Sequence, residues 1–510
     1  MSDNSSNNKR IAKNTIMLYA RMIIFMVVSL YTSRVVLNSL GVEDFGVYNV
    51  VTGFVIAFGF LNSAMNASVQ RFLTVEFKSD YNVDRLNKIF NMSIMIHLIL
   101  ALLMVAIAEP IGVYFVSHKL VIPPDRMQAA MWIFHLSVLS LFFNIMNVPY
   151  RALIVTHEDM GAFALISLFE VFAKLAVAVL IAFVLFDKLI FYGLLLAGVA
   201  VLVQIFYMIY CITKYKKEVS FQFFWERKLF NEMCSFAGWN LIGVFAGIAY
   251  NQGVNIVLNL FGGPVVNAAR AIAFQVSGAA NQLVTNFQMA VNPPIMKSYV
   301  AKDGKAELLV YSSSKISALL LLFIAIPAIA ETPYILQLWL KTVPDYTVAF
   351  TRLALVDAIV CSMAGPLHTL FQATGNIKRY QLIISSILLL NLPISYVFLK
   401  LGCKYEVTII IAIVLSLLAI GARLRLVTKF AAINLCGFLY NVAARVVCVS
   451  FICCILLSIP MCVLNEGFAR LLAVILTSTI SLCLGIFVFG LDEKEKSIVI
   501  GYVNKIKGNK

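Results

Sequence analysis

Long apolar runs, separated by short polar connections, occupy nearly the whole chain. A helix needs roughly 20 apolar residues to cross a hydrocarbon core of about 30 Å, and the runs have this length. They do not alternate between apolar and polar positions, which favours helices over barrel strands. We therefore predict an all-α polytopic membrane protein with about 14 transmembrane helices. The predicted spans lie at residues 15–39, 46–70, 89–116, 128–149, 161–186, 189–212, 230–260, 266–292, 308–330, 349–372, 380–399, 406–427, 440–464 and 468–490.

The spans form two copies of one unit. Residues 36–41 read Val-Leu-Asn-Ser-Leu-Gly, and residues 257–262 read Val-Leu-Asn-Leu-Phe-Gly. Each copy has an even number of spans and enters from the same side, which predicts parallel repeats about an axis along the membrane normal. Transporters built from such repeats hold their substrate between the halves. The predicted organisation is a cytoplasmic tail at 1–14, six-helix bundles at 15–212 and 230–427, a cytoplasmic linker at 213–229, two extra helices at 440–490 and a cytoplasmic tail at 491–510.

Composition agrees with the membrane prediction. The chain is 61% hydrophobic and 13% charged, whereas a soluble domain has roughly 25% charged residues. Its net charge of +15 comes from Lys and Arg in the loops on the side of the N-terminus, so both termini are predicted to be cytoplasmic. These cations form no single stripe, which argues against a nucleic-acid partner. The ten cysteines include no C-x-x-C pair, and we expect no disulfide framework, metal or cofactor.

Polar residues inside the spans indicate which helices line a cavity. Span 8 carries five of them at helical spacing, namely Ser277, Asn281, Thr285, Gln288 and Asn292. The first two helices of each copy are therefore predicted to face the cavity, with hydrogen bonding between helices as the alternative. The asparagines taken as substrate-binding candidates are Asn38, Asn66, Asn255 and Asn281.

Two arginines at the predicted outer depth are the main charged candidates. Arg34 lies in span 1 and Arg270 in span 8, and their repeat counterparts are Asn255 and Asn49. The scaffold therefore does not require arginine at these positions. A guanidinium binds phosphate oxygens bidentately, so one arginine from each copy could hold a phosphate group. The alternative is snorkelling to the outer headgroups.

Three further charged residues are weaker candidates. Arg21 could line the cavity or snorkel inward, and Lys174 could face a substrate or simply pair with Glu170, one turn away. Asp357 in span 10 is the candidate for a proton- or cation-coupling carboxylate, with a pair to Arg352 as the alternative.

The first outer loop carries a motif that marks a family. Residues 34–48 read Arg-Val-Val-Leu-Asn-Ser-Leu-Gly-Val-Glu-Asp-Phe-Gly-Val-Tyr, which resembles the first-loop signature of Wzx-type polysaccharide flippases of the multidrug/oligosaccharidyl-lipid/polysaccharide exporter superfamily. The resemblance implies transfer of an undecaprenyl-pyrophosphate-linked oligosaccharide across the bacterial inner membrane, with a cationic cavity for the pyrophosphate. Arg34 and Arg270 match places where the superfamily often has cavity arginines, as do Arg21 and Lys174 less closely.

The sequence leaves two other functions open. A cation-coupled drug antiporter of the related multidrug class usually has twelve spans and an acidic cavity. A membrane glycan polymerase or glycosyltransferase would need an outer domain to hold its glycan, yet no outer loop here is long. We therefore expect a non-enzyme that carries an O-antigen, capsule or exopolysaccharide repeat unit. The expected partners are the lipid-linked oligosaccharide and membrane lipids. Glycan polymerase and chain-length proteins are candidate protein partners, and the protein itself is expected to be a monomer.

Overall fold

The computed structural model describes residues 24–79, 82–157, 159–301, 304–374, 377–428, 433, 435–493 and 495–497. This part of the chain is helical and contains no strand. The first ten helices are α1 (Ile24–Leu40), α2 (Val42–Ala57), α3 (Phe60–Ser79), α4 (Val83–His118), α5 (Met127–Met146), α6 (Val148–Thr156), α7 (Met160–Leu180), α8 (Lys188–Lys214), α9 (Lys216–Val219) and α10 (Arg227–Ala301). The others are α11 (Ala306–Ala330), α12 (Thr332–Trp339), α13 (Thr347–Ser362), α14 (Gly365–Thr374), α15 (Ile377–Leu389), α16 (Asn391–Lys400), α17 (Val407–Val427), α18 (Leu435–Phe438), α19 (Arg445–Val463) and α20 (Phe468–Gly485).

Eleven of the described helical segments are long and apolar enough to cross a membrane. A twelfth is obtained if α1 and α2, which bend by 120° at their junction, count as one span. The prediction of an all-α polytopic membrane protein is confirmed. The fold class follows from the sequence because a segment that crosses the hydrocarbon core has no water to bond to. Its backbone N–H and C=O groups must pair within the segment, which an α-helix achieves.

A glycine with positive φ breaks the helix at the repeated motif in each copy. Gly41 (φ 83°) separates α1 from α2. Gly263 (φ 67°) interrupts α10, one residue beyond the Gly262 that the sequence repeat aligns with Gly41. Left-handed backbone is readily adopted only by glycine. The motif therefore builds the same kind of break twice, at slightly different positions.

The chain divides into two compact units. Unit 1 comprises Met1–Ala268 with Leu340–Pro344, and unit 2 comprises Ala269–Trp339 with Asp345–Lys510. The first part of α10, which the sequence assigns to the second bundle, thus groups with unit 1. The contacts explain this: the Ser68 hydroxyl donates to the Met233 carbonyl at 2.9 Å, and a Cβ added at Gly46 would lie 2.0 Å from the Pro264 oxygen.

The helices of unit 1 are held together by a shared apolar core and by a group of ion pairs around Arg126. Helices α2, α4, α5 and α8 share one buried apolar cluster. At the start of α5, Arg126 pairs with Asp44 of α2 (2.7 Å) and with Asp187 (2.7 Å), which also accepts from the first backbone N–H groups of α8. Partial burial opposes ionisation of Asp187, but the Arg126 and backbone hydrogen bonds outweigh it and lower its pKa. These ion pairs join the N-terminal ends of α2, α5 and α8, and their charge-assisted hydrogen bonds stabilise the ionised carboxylates.

The two extra C-terminal helices are integral to unit 2. Side chains of α19 and α20 lie in the same buried cluster as those of α11. Lys315 of α11 is 1% exposed, and its Nζ pairs with Glu495 at 2.6 Å and Asp492 at 3.7 Å. Asp492 also pairs with Arg445 of α19. A buried ammonium needs such partners, so the C-terminal segment neutralises a charge inside unit 2.

We expect Glu495→Gln to lower the free energy of unfolding by about 2 kcal/mol. Lys315 would then keep only one carboxylate partner among the described residues, Asp492 at 3.7 Å. Partial burial raises the pKa of Glu495, but hydrogen bonds from Lys315, Ser312 and the Asp492 N–H outweigh it and hold the pKa below its ordinary 4.5. The stabilisation is therefore present above pH 4.5 and is lost as pH falls through the lower folded-state pKa.

Thermal unfolding of the purified protein at neutral and acidic pH measures this effect. The difference between wild type and Glu495→Gln should shrink at acidic pH. Glu493→Gln is the matched control, because the Glu493 side chain is 94% exposed. Equal stability of wild type and both variants at neutral pH would contradict the prediction.

Candidate functional site: a basic pocket in unit 1

A pocket of ≈ 660 Å³ opens at the predicted outer end of unit 1. Three cationic side chains line it, Arg34, Lys188 and Lys341, together with Asn38 and Tyr31. No carboxylate is among its described lining residues. The volume is within the usual range for a ligand site, and the lining chemistry suits an anionic group.

Local structure places these side chains together. Arg34 and Asn38 are one turn apart on α1 and so share a face, and the Asn38 amide donates to the Arg34 carbonyl at 2.8 Å. Lys188 begins α8, directly after Asp187, whose carboxylate is occupied by Arg126 and by backbone N–H groups. Within the described residues Lys188 has no ion-pair partner, so its charge is available to the pocket.

Sequence reasoning missed Lys188 and Lys341. Both lie in connections on the predicted outer side, where the positive-inside rule makes cations uncommon. That rarity was the signal that could have singled them out. Their proximity to Arg34 could not have been read from the sequence, because it depends on how three distant segments pack.

Arg270 lies in unit 2 and has different surroundings. It is 8% exposed, and its guanidinium lies over the Phe274 ring at 4.2 Å from the centroid. A cation held over an aromatic face in a buried site keeps its charge at a reduced desolvation cost. The joint action of Arg34 and Arg270 on one phosphate group stays a prediction.

The asparagine candidates have varied environments. Asn255 is buried in unit 1, where Asn267 donates to its backbone and side-chain oxygens at 2.8 and 2.7 Å. Asn66 is exposed on α3, and Asn281 is half-buried on α10. Arg21 lies outside the described residues. Their substrate-binding roles stay predictions.

Most of the polar stripe of span 8 bonds to neighbouring helices of unit 2. Ser277 donates to the Ala354 carbonyl at 3.2 Å. Gln288 donates to the Ser362 carbonyl at 3.0 Å, and Asn292 accepts from the Thr369 hydroxyl at 2.8 Å. These contacts are interhelical hydrogen bonds, the alternative considered for this stripe.

Lys174 and Glu170 form the ion pair that their spacing allows, at 2.6 Å. The pair lines a second pocket of unit 1, ≈ 270 Å³ in volume, among α2, α5, α7 and α8. Because Glu170 neutralises Lys174, this pocket carries no net charge. Its chemistry therefore differs from that of the basic pocket.

Asp357 lies on α13 among neutral polar groups. Its carboxylate accepts from the Ser416 hydroxyl at 3.1 Å and from the Cys361 thiol at 3.8 Å. Arg352 instead donates to the Ile329 carbonyl at 3.0 Å. An ion pair with Arg352 was the alternative to an ion-coupling role for Asp357. The described contacts give Asp357 and Arg352 different partners. An ion-coupling role stays a prediction.

The described residues contain no group of three metal-ligating side chains, and the ten cysteines are free thiols. The Arg126 guanidinium donates to both carboxylate oxygens of Asp44 at 2.7 Å.

Comparison with known proteins agrees with the first-loop motif. A model of the family described as polysaccharide biosynthesis protein matches residues 11–300. No curated protein sequence matches the chain significantly. An inward-facing multidrug resistance MATE family transporter of the MOP superfamily is similar in fold, with a TM-score of 0.65 at 13% identity over 82% of this chain and 98% of that one. The lipid II flippase MurJ in an inward closed conformation gives a TM-score of 0.65 at 12% identity over 94% and 98%.

A third similar structure is a MOP superfamily transporter from Pyrococcus furiosus, described as having a binding pocket of reversed polarity. Its TM-score is 0.59 at 15% identity, over 82% of this chain and 96% of that one. At these identities the similarity establishes the fold, and the family model establishes the sequence relationship. The chain belongs to the polysaccharide biosynthesis protein family, with the fold of MOP superfamily transporters, as the resemblance at residues 34–48 predicts.

Proposed function

We propose that the protein is a flippase for an undecaprenyl-pyrophosphate-linked oligosaccharide, an O-antigen, capsule or exopolysaccharide repeat unit. It acts in the bacterial inner membrane by alternating access, with both termini cytoplasmic. The observation that carries the proposal is the basic pocket with Arg34, Lys188 and Lys341 and no described carboxylate. A multi-pass membrane fold in a polysaccharide biosynthesis family supports a transporter of this class.

The chemistry of the pocket fits the polar head of the proposed substrate. A pyrophosphate diester carries two negative charges and several acceptor oxygens. The Arg34 guanidinium supplies a fork that can bind two of these oxygens, while the two lysines supply point charges. The Asn38 side chain adds a neutral polar group beside them. Recognition would thus depend on the phosphates, which leaves the glycan free to vary.

The proposed mechanism uses binding and release at this pocket. The phosphates bind the cations in one conformation, and the glycan crosses the membrane with them. A second conformation then exposes the glycan outside, and the lipid returns to the bilayer. Arg270 and Asp357 in unit 2 are proposed to contribute a second phosphate contact and an ion-coupling carboxylate.

A reconstitution assay tests the proposal. The full-length protein is placed in liposomes containing an undecaprenyl-pyrophosphate oligosaccharide. The appearance of the oligosaccharide in the outer leaflet is followed with a lectin that cannot cross the membrane. We expect translocation well above that of protein-free vesicles. The same oligosaccharide on uncharged undecaprenol should move much more slowly. Equal rates for the charged and uncharged lipids would exclude recognition through the phosphates.

Lys188→Ala and Lys341→Ala should each weaken binding of the pyrophosphate lipid by about threefold. Lys188 is half-buried and Lys341 is exposed, and solvent-accessible charge pairs contribute up to about 1 kcal/mol. The dissociation constant of the nanodisc-embedded variants measures this effect. Raising the salt concentration should reduce the difference from wild type. Unchanged affinity in the double variant would remove both lysines from the site.

The second candidate function is a cation-coupled drug antiporter. The fold similarity to a MATE family transporter favours it, as does the membrane-embedded Asp357. An organic cation is repelled by the basic pocket, so this function would have to use another site. Counterflow of an organic cation driven by a proton or sodium gradient in the same liposomes distinguishes the two functions.

A further inference from the structure

A second pocket of unit 1 has a composition that the phosphate site does not explain. It has a volume of ≈ 270 Å³ and lies among α2, α5, α7 and α8. Three of these helices present polar side chains to it. They contribute Tyr48 and Thr52 from α2, Ser137, Ser140 and Asn144 from α5, and Glu170 and Lys174 from α7.

The polar groups are arranged by helical spacing. Ser137, Ser140 and Asn144 follow one another by three and four residues, so they share one face of α5. Glu170 and Lys174 are likewise one turn apart on α7. The fourth wall is apolar, because α8 presents Leu196, Val199, Ala200 and Val203. The α2 and α5 walls are mixed, because they also present Val55, Ile56, Leu136 and Leu141, while the α8 wall is hydrocarbon.

Two of the polar side chains have unused hydrogen-bonding capacity. Within the described part of the chain, Ser137 and Asn144 make no side-chain hydrogen bond. The Ser140 hydroxyl donates to the Leu136 carbonyl at 2.9 Å, and that of Thr52 to the Tyr48 carbonyl at 2.6 Å. Their oxygens can still accept, because a hydroxyl has two lone pairs. A ligand would therefore find hydrogen-bond donors and acceptors on α2 and α5.

The charge of the pocket excludes several ligand classes. Glu170 and Lys174 pair at 2.6 Å, so no net charge attracts a phosphate or an organic cation. The pocket offers a single carboxylate, and no three-residue metal-ligating group exists among the described residues. An apolar ligand would leave the Ser137 hydroxyl and the Asn144 amide without partners, which is unfavourable. A neutral polyhydroxylated ligand satisfies all these conditions.

We infer that this pocket binds one neutral pyranose residue, with its hydroxyl groups on the α2, α5 and α7 side chains and its C–H face on α8. Within the proposed function, on which this inference rests, the ligand is a sugar residue of the carried glycan. The phosphates and this sugar would then be recognised at separate places in unit 1.

Saturation-transfer difference NMR on the full-length protein in nanodiscs tests the inference. The probes are methyl glycosides of glucose, galactose, mannose, rhamnose and N-acetylglucosamine, with methyl glucuronide as the charged comparison. At least one neutral glycoside should bind the wild type, and more tightly than the glucuronide. The isosteric Asn144→Leu, combined with Ser137→Ala, should weaken that glycoside's binding about tenfold. Ser117→Ala, outside the lining, is the control and should bind like wild type.

The outcomes separate this inference from the proposed function. If no glycoside binds the wild type, or if the double variant binds it equally well, the sugar site is overturned. Translocation of the pyrophosphate lipid would still stand or fall in its own assay. If glycoside binding is lost in the double variant but no lipid is translocated by the wild type, the sugar site holds and the proposed function fails. Size-exclusion profiles equal to that of wild type establish that the variant is folded.

Discussion

Arg34→Ala is expected to weaken binding of the undecaprenyl-pyrophosphate lipid about 30-fold, with a parallel fall in translocation. A charge-assisted hydrogen bond to a phosphate contributes about 2 kcal/mol, which corresponds to that factor. Arg34 and Lys188 are half-buried and Lys341 is exposed, and of the three only Arg34 has a guanidinium fork that can bind two phosphate oxygens. It should therefore have the largest effect of the three cations. The dissociation constant in nanodiscs and the lectin assay in liposomes measure the two quantities.

Two further variants show what Arg34 contributes. Arg34→Lys keeps the charge but removes the fork, so it should recover only part of the lost affinity. Arg85→Ala is the matched control, because Arg85 is 52% exposed and its Nε lies 3.9 Å from Glu76. If Arg34→Ala binds and translocates like wild type while remaining folded, Arg34 has no part in the site and snorkelling is the better explanation.

Gly46→Ala is expected to lower the free energy of unfolding by about 3 kcal/mol or more. Its new Cβ would lie 2.0 Å from the oxygen, 2.5 Å from the carbonyl carbon and 2.9 Å from the Cα of Pro264. All three are backbone atoms, so rotation of a side chain cannot relieve the clash. The first part of α10 would have to move away from α2, which opens the packing of unit 1.

The yield of monodisperse protein and its melting temperature measure this loss. Gly198→Ala on α8 is the control, since a Cβ there meets nothing within 4 Å. It should be neutral or raise stability by about 0.5–1 kcal/mol, because alanine is the better helix former. Gly46→Ala with wild-type stability would mean that α2 and α10 are not in close contact.

The helices and their breaks were predictable because they depend on local chemistry. The length of the apolar runs predicted the helices, and the gaps between the runs placed connections at residues 40–45 and 261–265. The structure places the second break at Gly263. Gly263 lies inside the predicted connection, and its left-handed backbone is one that glycine adopts readily.

The candidate site was less predictable, because it depends on long-range packing. Asn38 and Asn259 occupy equivalent positions in the two copies of the repeat. Asn38 nevertheless lines the basic pocket, whereas Asn259 is fully buried. The Asn259 oxygen accepts from the Val121 backbone at 2.8 Å, and its amide donates to Asn267 at 2.9 Å. The sequence marks both positions as polar and intramembrane, but it does not say which one faces a pocket and which one bonds to a neighbouring segment.

The pairing of Lys315 with Glu495 has a consequence for biosynthesis. Lys315 is synthesised and enters the membrane about 180 residues before its partner, since |i−j| is 180. Throughout that interval its ammonium lacks the carboxylate that neutralises it in the finished protein. The ion pair of unit 2 can therefore form only after α11 to α20 have all been synthesised. A stop codon just before residue 495 would leave all the described spanning helices in the product, yet Lys315 would lack the closer of its two carboxylates.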